Sequence, residues 1–176
     1  MSTNLQNNAG PLAGSHIIGA LKAAGIAHVL SVPDISTSDG LLWPISRDPA
    51  FKLIRVCKED EAIGIATGLW ATGTRSVILI QNTGFFYALN AIRVLAMEYE
   101  QPICLLIGLL LKEPDKAPQE SGRYGVRLVP PVLDALGLRY DTIDTNDQAD
   151  AIAASLDAAY HHSRPHAFLL GRQPAP

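Results

Sequence analysis

The sequence predicts one α/β domain: a doubly wound, mostly parallel sheet of six strands with helices on both faces. Three observations carry this. Apolar runs such as Ser76–Ile80 and Ile103–Ile107 show no polar alternation, so they suit strands covered on both sides. Segments of helical periodicity separate them, and strand and helix alternate about six times, the pattern of right-handed crossovers in a parallel sheet. With 176 residues, 48% of them hydrophobic, the chain can build a proper core, and no long linker or internal repeat divides it.

Taken in order, Met1–Gly10 is polar, and residues 1–11 are expected to form a flexible tail ahead of a domain over 12–172. Leu12–Ala24 places Ile17, Ile18 and Leu21 at helical spacing, and Gly25 is a suitable stop. His28–Val32 reads as a short strand ended by Pro33. Asp34–Ser38 offers capping residues, with Ser36 and Ser38 read as caps, before Leu41, Leu42 and Trp43. Phe51–Cys57 is a second strand, running into a helix that begins near Glu59. Ser76–Ile80 is the third strand, and Gln81–Gly84 turns the chain into a helix over about Phe86–Tyr99.

Ile103–Ile107 is a further strand. Leu109–Arg127 holds charges, prolines and glycine over a length that is usually functional or mobile. Val129–Leu136 is a helix, Arg139–Ile143 a strand, Asp147–Ser163 a helix and Ala167–Leu170 the last strand. Residues 173–176 are expected to be a tail.

The anomaly lies in the Glu59 helix. At about 100° per residue, Ala62, Ile63, Ala66, Leu69 and Trp70 fall within roughly 80° of Glu59. Asp60 and Glu61 point away. The helix dipole accounts for acidic residues in a first turn, but not for one that faces the apolar stripe, where a carboxylate needs a partner. In an open parallel sheet, ligands bind beyond the carboxyl ends of the strands. Three loops are expected to converge there: Val32-Pro33-Asp34, Lys58-Glu59 and Gln81-Asn82-Thr83-Gly84.

Other chemistries find little support. A net charge of −3 without a basic block argues against nucleic acid or an anionic membrane as partner. No GxGxxG or GxxxxGK[ST] run is present, and no residues show metal-ligand spacing. His161-His162 suits a solvated helix end, His28 a packed position, and His166 has no visible partner. Cys57 and Cys104 lie in apolar runs and read as buried free thiols, which fits a reducing cytoplasm. The start of the chain lacks a signal-peptide pattern, and the longest apolar run, Ile103–Leu111, is too short to span a bilayer. A soluble, cytoplasmic protein is expected.

The run Lys58-Glu-Asp-Glu-Ala-Ile-Gly-Ile-Ala-Thr-Gly68 resembles the helix that carries the glutamate of the pyrimidine-binding (PYR) domain in thiamine diphosphate-dependent decarboxylases. In that family the glutamate stands nine positions before a helix glycine, and Gly68 leads back to Glu59. Supporting segments are Val32-Pro-Asp-Ile-Ser36, Ile78–Gly84, Asn90-Ala91, Gln101–Ile107 and Val132–Gly137, so the resemblance runs over nearly the whole chain. It is nearest to sulfopyruvate decarboxylase alpha subunits and the matching half of phosphonopyruvate decarboxylases.

The resemblance implies a thiamine diphosphate-binding fold and a 2-oxo acid decarboxylase, with Glu59 bonding the cofactor's aminopyrimidine ring and so activating it. A carboxyl group in an apolar wall suits that task, since burial favours its protonated, donating form. By the same resemblance Val32, Pro33, Asp34, Gln81 and Asn82 border the pyrimidine or substrate, or else serve as ordinary turn and cap residues. Phe85, Phe86 and Leu109 lie near a substrate pocket, or the two phenylalanines staple the helix start to the core. The family's Gly-Asp-Gly…Asn diphosphate motif is missing here, Ser38-Asp-Gly40 standing elsewhere. The chain is therefore expected to bind only the pyrimidine end. A separate diphosphate-binding beta subunit would bring Mg²⁺, in a hetero-oligomer of at least two of each chain. Where relatives carry His-Arg-Gly after the fourth strand, this chain has Gly108-Leu-Leu-Leu111, which points to a more apolar 2-oxo acid unless Lys112, Arg123 or Arg127 supplies charge. Acyloin-forming carboligation and a non-catalytic regulatory subunit of the same fold are the alternatives.

Overall fold

Six strands form one sheet in the order β2-β1-β3-β4-β6-β5, every neighbouring pair parallel. The computed structural model describes residues 11–176. The strands are β1 (His28–Ser31), β2 (Lys52–Arg55), β3 (Ser76–Gln81), β4 (Cys104–Gly108), β5 (Arg139–Ile143) and β6 (His166–Leu170). The central strands β3 and β4 are buried almost throughout, as their unbroken apolar sequence requires. The edge strands β2 and β5 carry exposed Lys52, Arg55, Arg139 and Asp141, charges that discourage a further strand from adding there.

Helices cover both faces. They are α1 (Gly14–Ala23), α2 (Trp43–Arg47), α3 (Glu59–Ala71), α4 (Asn82–Tyr87), α5 (Leu89–Ala91), α6 (Tyr124–Arg127), α7 (Val129–Leu136), α8 (Asn146–Asp150) and α9 (Ile152–His161). Wide π-type turns lead into α2 at Ser38–Leu42 and follow α5 at Ile92–Glu98. One core, around Leu21, Leu42, Leu79 and Phe168, lies beneath α1, α2 and α9. The other, around Ile63, Ile80, Phe85 and Leu133, lies beneath α3, α4 and α7. The doubly wound α/β architecture is therefore the one expected, with all pairs parallel.

Several local expectations need correction. The helix after β3 begins at Asn82 and not near Phe86, because Gln81 stays extended and the chain turns at once. Cys57 is exposed: β2 ends at Arg55, so Cys57 stands on the loop before α3. Cys104 is buried, and its thiol is pushed up to about 12 by that burial. His166 does have a partner, Asp141, at 2.8 Å. Residues 109–127 contain a 3₁₀ turn at Pro118–Glu120 and the helix α6. The expected N-terminal tail lies, except for Pro11, outside the described residues. At the other end Ala175 pairs with the start of α1, donating to Leu12 and accepting from Gly14, each at 2.7 Å.

A buried tyrosine ties α9 to β3. The Tyr160 hydroxyl accepts from the Ser76 N–H at 2.9 Å and donates to the Ser76 carbonyl. Burial raises its pKa, and the Arg75 guanidinium lies over its ring at 5.0 Å. Removing the hydroxyl takes away the acceptor of the buried Ser76 N–H and one donor to its carbonyl. Tyr160→Phe is expected to cost about 1–3 kcal/mol, read as a lower urea midpoint at unchanged slope.

Candidate active site at the carboxyl ends of the strands

The start of α3 separates its three acidic residues. Lys58 is extended, and the Glu61 carboxylate reaches back to accept from the N–H groups of Cys57 (3.1 Å) and Lys58 (3.3 Å). A lysine ammonium cannot accept in return, so only this half of a capping box forms. Asp60 accepts from the Glu61 N–H at 3.0 Å. Both remain exposed, whereas Glu59 is half-buried on the side of α3 that buries Ala62, Ile63 and Ala66.

Glu59 lies on Gly84, in the first turn of α4. A Cβ added at position 84 would overlap the carboxylate, standing 2.6 Å from Glu59 Cδ. The φ of Gly84 is ordinary, so what glycine supplies here is the absent side chain, which lets the carboxylate lie against the backbone. Among the described residues nothing hydrogen-bonds the Glu59 carboxylate. In the sequence Gly84 reads only as part of a turn. Its position inside a helix, where glycine is disfavoured, is the signal that it admits something close.

The other two loops meet beside this seat. Asp34 folds its loop on itself: Oδ1 accepts from the N–H groups of Ser36 (2.6 Å) and Thr37 (3.1 Å), and Oδ2 from the Thr37 hydroxyl (2.8 Å). The Ser38 hydroxyl donates to the Asp34 carbonyl. Asp34 thus holds the turn, and Ser36 is no cap: its hydroxyl accepts from Gln81 Nε2 at 3.2 Å. Val32 is half-buried and Pro33 exposed. Ser36 and Thr37 cross the end of β4, where a Cβ on Gly108 would stand 3.0 Å from Ser36 Cβ and 2.9 Å from Thr37 Cγ2.

Gln81 also accepts from the Thr83 hydroxyl at 2.8 Å. Asn82 is buried, and its Oδ1 accepts from the Leu110 N–H at 3.0 Å. Phe85 is fully buried in the core and stacks on half-buried Phe86 at 5.4 Å, so it anchors the start of α4. Leu109 is buried at the head of the long loop.

The long loop is held by Glu113, whose carboxylate accepts from the Ser121 hydroxyl (2.6 Å) and the Gly122 N–H (3.0 Å), with Lys116 at 3.3 Å. These contacts, Ser121 first, lower its pKa from 4.5 to about 2. A cavity of about 1120 Å³ opens elsewhere, beside β5, and includes the Asp141–His166 pair and Ser155. His166 begins β6, so that cavity sits at the opposite end of the strands from Glu59. Size does not outrank the position that parallel sheets use for ligands. Among the described residues no group of three or more His, Cys, Asp or Glu could hold a metal ion, and no helix is long and apolar enough to cross a membrane.

These features define an α/β chain with a carboxylate seated at the carboxyl end of a parallel sheet. Comparison with known proteins places it. It is 30% identical over 158 residues to the sulfopyruvate decarboxylase subunit alpha of Methanococcus maripaludis, covering 86% of this chain and 89% of that one. To the corresponding subunit of Methanocaldococcus jannaschii it is 34% identical over 115 residues, 64% of this chain and 68% of that one. To the phosphonopyruvate decarboxylase of Streptomyces viridochromogenes it is 26% identical over 156 residues, 88% of this chain and 39% of that longer one. No family model matches. The chain belongs to the family of sulfopyruvate decarboxylase alpha subunits, relatives whose names imply a partner subunit of their own.

Because the pKa of Glu113 is lowered on folding, its contribution to the loop is full above pH 4.5 and is lost as pH falls toward 2. Hydrogen exchange at the Gly122 amide should show protection falling across that window. In Glu113→Gln protection should be lower and flat. Equal protection in both proteins at every pH would show that this carboxylate does not hold the loop.

Proposed function

We propose that this chain is the pyrimidine-binding subunit of a thiamine diphosphate-dependent 2-oxo acid decarboxylase, with Glu59 as the residue that activates the cofactor. The observation that carries the reading is the seat of Glu59: a half-buried carboxylate without a hydrogen-bond partner among the described residues, lying over a glycine that leaves it room. Such a group fits the ring nitrogen of an aminopyrimidine, which needs a single carboxyl partner in a largely apolar wall.

When bound, thiamine diphosphate would supply the electron sink for the bonding pair left behind as CO₂ departs. This chain's own residues do simpler work. Glu59 would hold or yield a proton at its carboxyl oxygen, facing the ring nitrogen of a bound aminopyrimidine. Gly84 keeps the carboxylate flat against α4. Asp34 fixes the loop after β1, which with Val32 and Pro33 forms one border. Gln81 and Asn82 hold the loops after β1 and β4 in register, and Phe86 lines the approach above buried Phe85.

The diphosphate and Mg²⁺ would be held by the partner subunit. Two facts support this: the chain lacks the Gly-Asp-Gly…Asn motif, and it spans 39% of a longer relative named as a phosphonopyruvate decarboxylase with no subunit designation. The site would then lie between subunits, in an assembly with at least two copies of each.

Glu59→Gln is expected to lower turnover of the assembled enzyme by about 10²-fold or more, as for loss of acid–base catalysis, with little change in melting temperature. Gly84→Ala should act the same way by displacing the carboxylate. Wild-type rates in both would sink the assignment. Titration calorimetry with thiamine diphosphate and Mg²⁺ should show strong binding only with the partner subunit present; tight binding by this chain alone would contradict the divided site.

A further inference from the structure

A cavity of about 410 Å³, within the usual range for small-molecule pockets, opens at the carboxyl end of the sheet. It lies among the loops that follow β1, β4 and β6, and neither Glu59 nor Gly84 lines it. Leu12, Ile35, Leu109, Leu110, Leu111 and Leu170 give it an aliphatic wall. Ile35 is 73% exposed and Leu111 63% exposed, so the rim is apolar as well.

One group on that wall is out of keeping with it. Arg172, on the loop after β6, is half-buried, and its Nε is buried without a hydrogen-bond partner. Among the described residues its guanidinium forms no ion pair. A charged N–H group withdrawn from water is costly unless an acceptor meets it.

The neighbouring side chains do not supply that acceptor. Lys112 also lines the cavity, but its side chain is 1% exposed, with Nζ donating to the Glu113 carbonyl at 3.0 Å and lying 3.6 Å from Asp144 Oδ1. A Cβ on Gly171 would stand 2.2 Å from Asp144 Oδ1 and 3.1 Å from Lys112 Cε. The bare backbone at that position therefore admits a lysine–aspartate pair whose charges balance each other. The cations that the sequence offers from the long loop are placed elsewhere. Arg127 donates to the Ser121 carbonyl and lies over the Tyr124 ring, Arg123 is exposed on the segment leading into α6, and neither lines the cavity. Arg172 is left as an uncompensated positive charge on an otherwise aliphatic wall.

We propose that this cavity is a second binding site, separate from the Glu59 seat, for a small organic monoanion. Its carboxylate or sulfonate head meets Arg172, and its short aliphatic body lies against the leucines. An arginine offers parallel N–H donors that match two oxygens of such a head, and the unpartnered Nε is one of them. The site borders the Glu59 seat without sharing a residue with it. Ser36 and Leu110, on its wall, are bonded to Gln81 and Asn82, which lead into α4. The inference needs only the cavity and its charge, and it stands or falls apart from the decarboxylase reading.

The full chain, labelled at arginine nitrogens and at Ile and Leu methyl groups, is titrated by NMR with four probes. They are 3-methylbutanoate, the sulfonate with the same body, the neutral 3-methylbutanamide and acetate. Both branched anions should shift the Arg172 Nε–H resonance and the methyl groups of Ile35 and Leu109–Leu111 saturably, at least about tenfold more tightly than the amide. Acetate should also be at least about tenfold weaker, since each buried methylene adds about fourfold. Arg172→Gln should reduce both anions to the affinity of the amide, and Arg172→Lys, which keeps the charge without the fork, should fall between. Equal affinity for anion and amide, unchanged affinity in Arg172→Gln, or no shift at Arg172 with either branched anion overturns the proposal. Acetate binding as tightly as the branched anions overturns the aliphatic half of it.

Discussion

A carboxylate lying on a glycine is the contact around which this end of the molecule is arranged. Glu59 can face inward because Asp60 and Glu61 take over the start of α3, one capping its own neighbour and the other closing on Cys57 and Lys58. It can lie flat because position 84 has no Cβ. No neighbour among the described residues takes up the acceptor capacity of this carboxylate, which leaves it open to a ligand. The rest of the site is scaffolding for that arrangement.

The scaffolding depends on side-chain hydrogen bonds within and between loops. Asp34 folds the loop after β1, Ser36 links it to Gln81, Asn82 fixes the loop after β4, and Glu113 gathers the long segment beyond. The Ser36–Gln81 and Asn82–Leu110 bonds join segments far apart in sequence that a parallel sheet brings together, while Asp34 and Glu113 each fold their own loop. Polar residues that sequence inspection suggests as ligand contacts are here largely occupied in positioning one another. That leaves Glu59 as the group with chemical capacity to spare.

Much of this was legible in the sequence, for a physical reason. Fully apolar strands and 3.6-residue periodicity are strong signals, so the sheet, the bounds of α7 and β5, and the inward face of Glu59 could be read directly. What escaped depends on contacts between distant segments. Nothing in the run around His166 announces Asp141, and nothing near Gly84 announces the glutamate that needs its bare backbone. Cys57 has apolar neighbours in sequence that suit a buried strand, yet β2 stops at Arg55 and leaves the thiol exposed on the following loop. Lys112 looked available in the sequence; only the fold shows its ammonium buried beside Asp144.

The most direct test of the central claim looks at the atom that Glu59 is argued to meet. Thiamine diphosphate labelled with ¹⁵N at the pyrimidine ring nitrogens can be bound to the assembled enzyme and its resonances compared between wild type and Glu59→Gln. The account predicts that one ring nitrogen, N1′, carries the shift of a strongly hydrogen-bonded or protonated site in the wild type and loses it in the variant. Identical spectra from the two proteins, with cofactor bound in both, would contradict it.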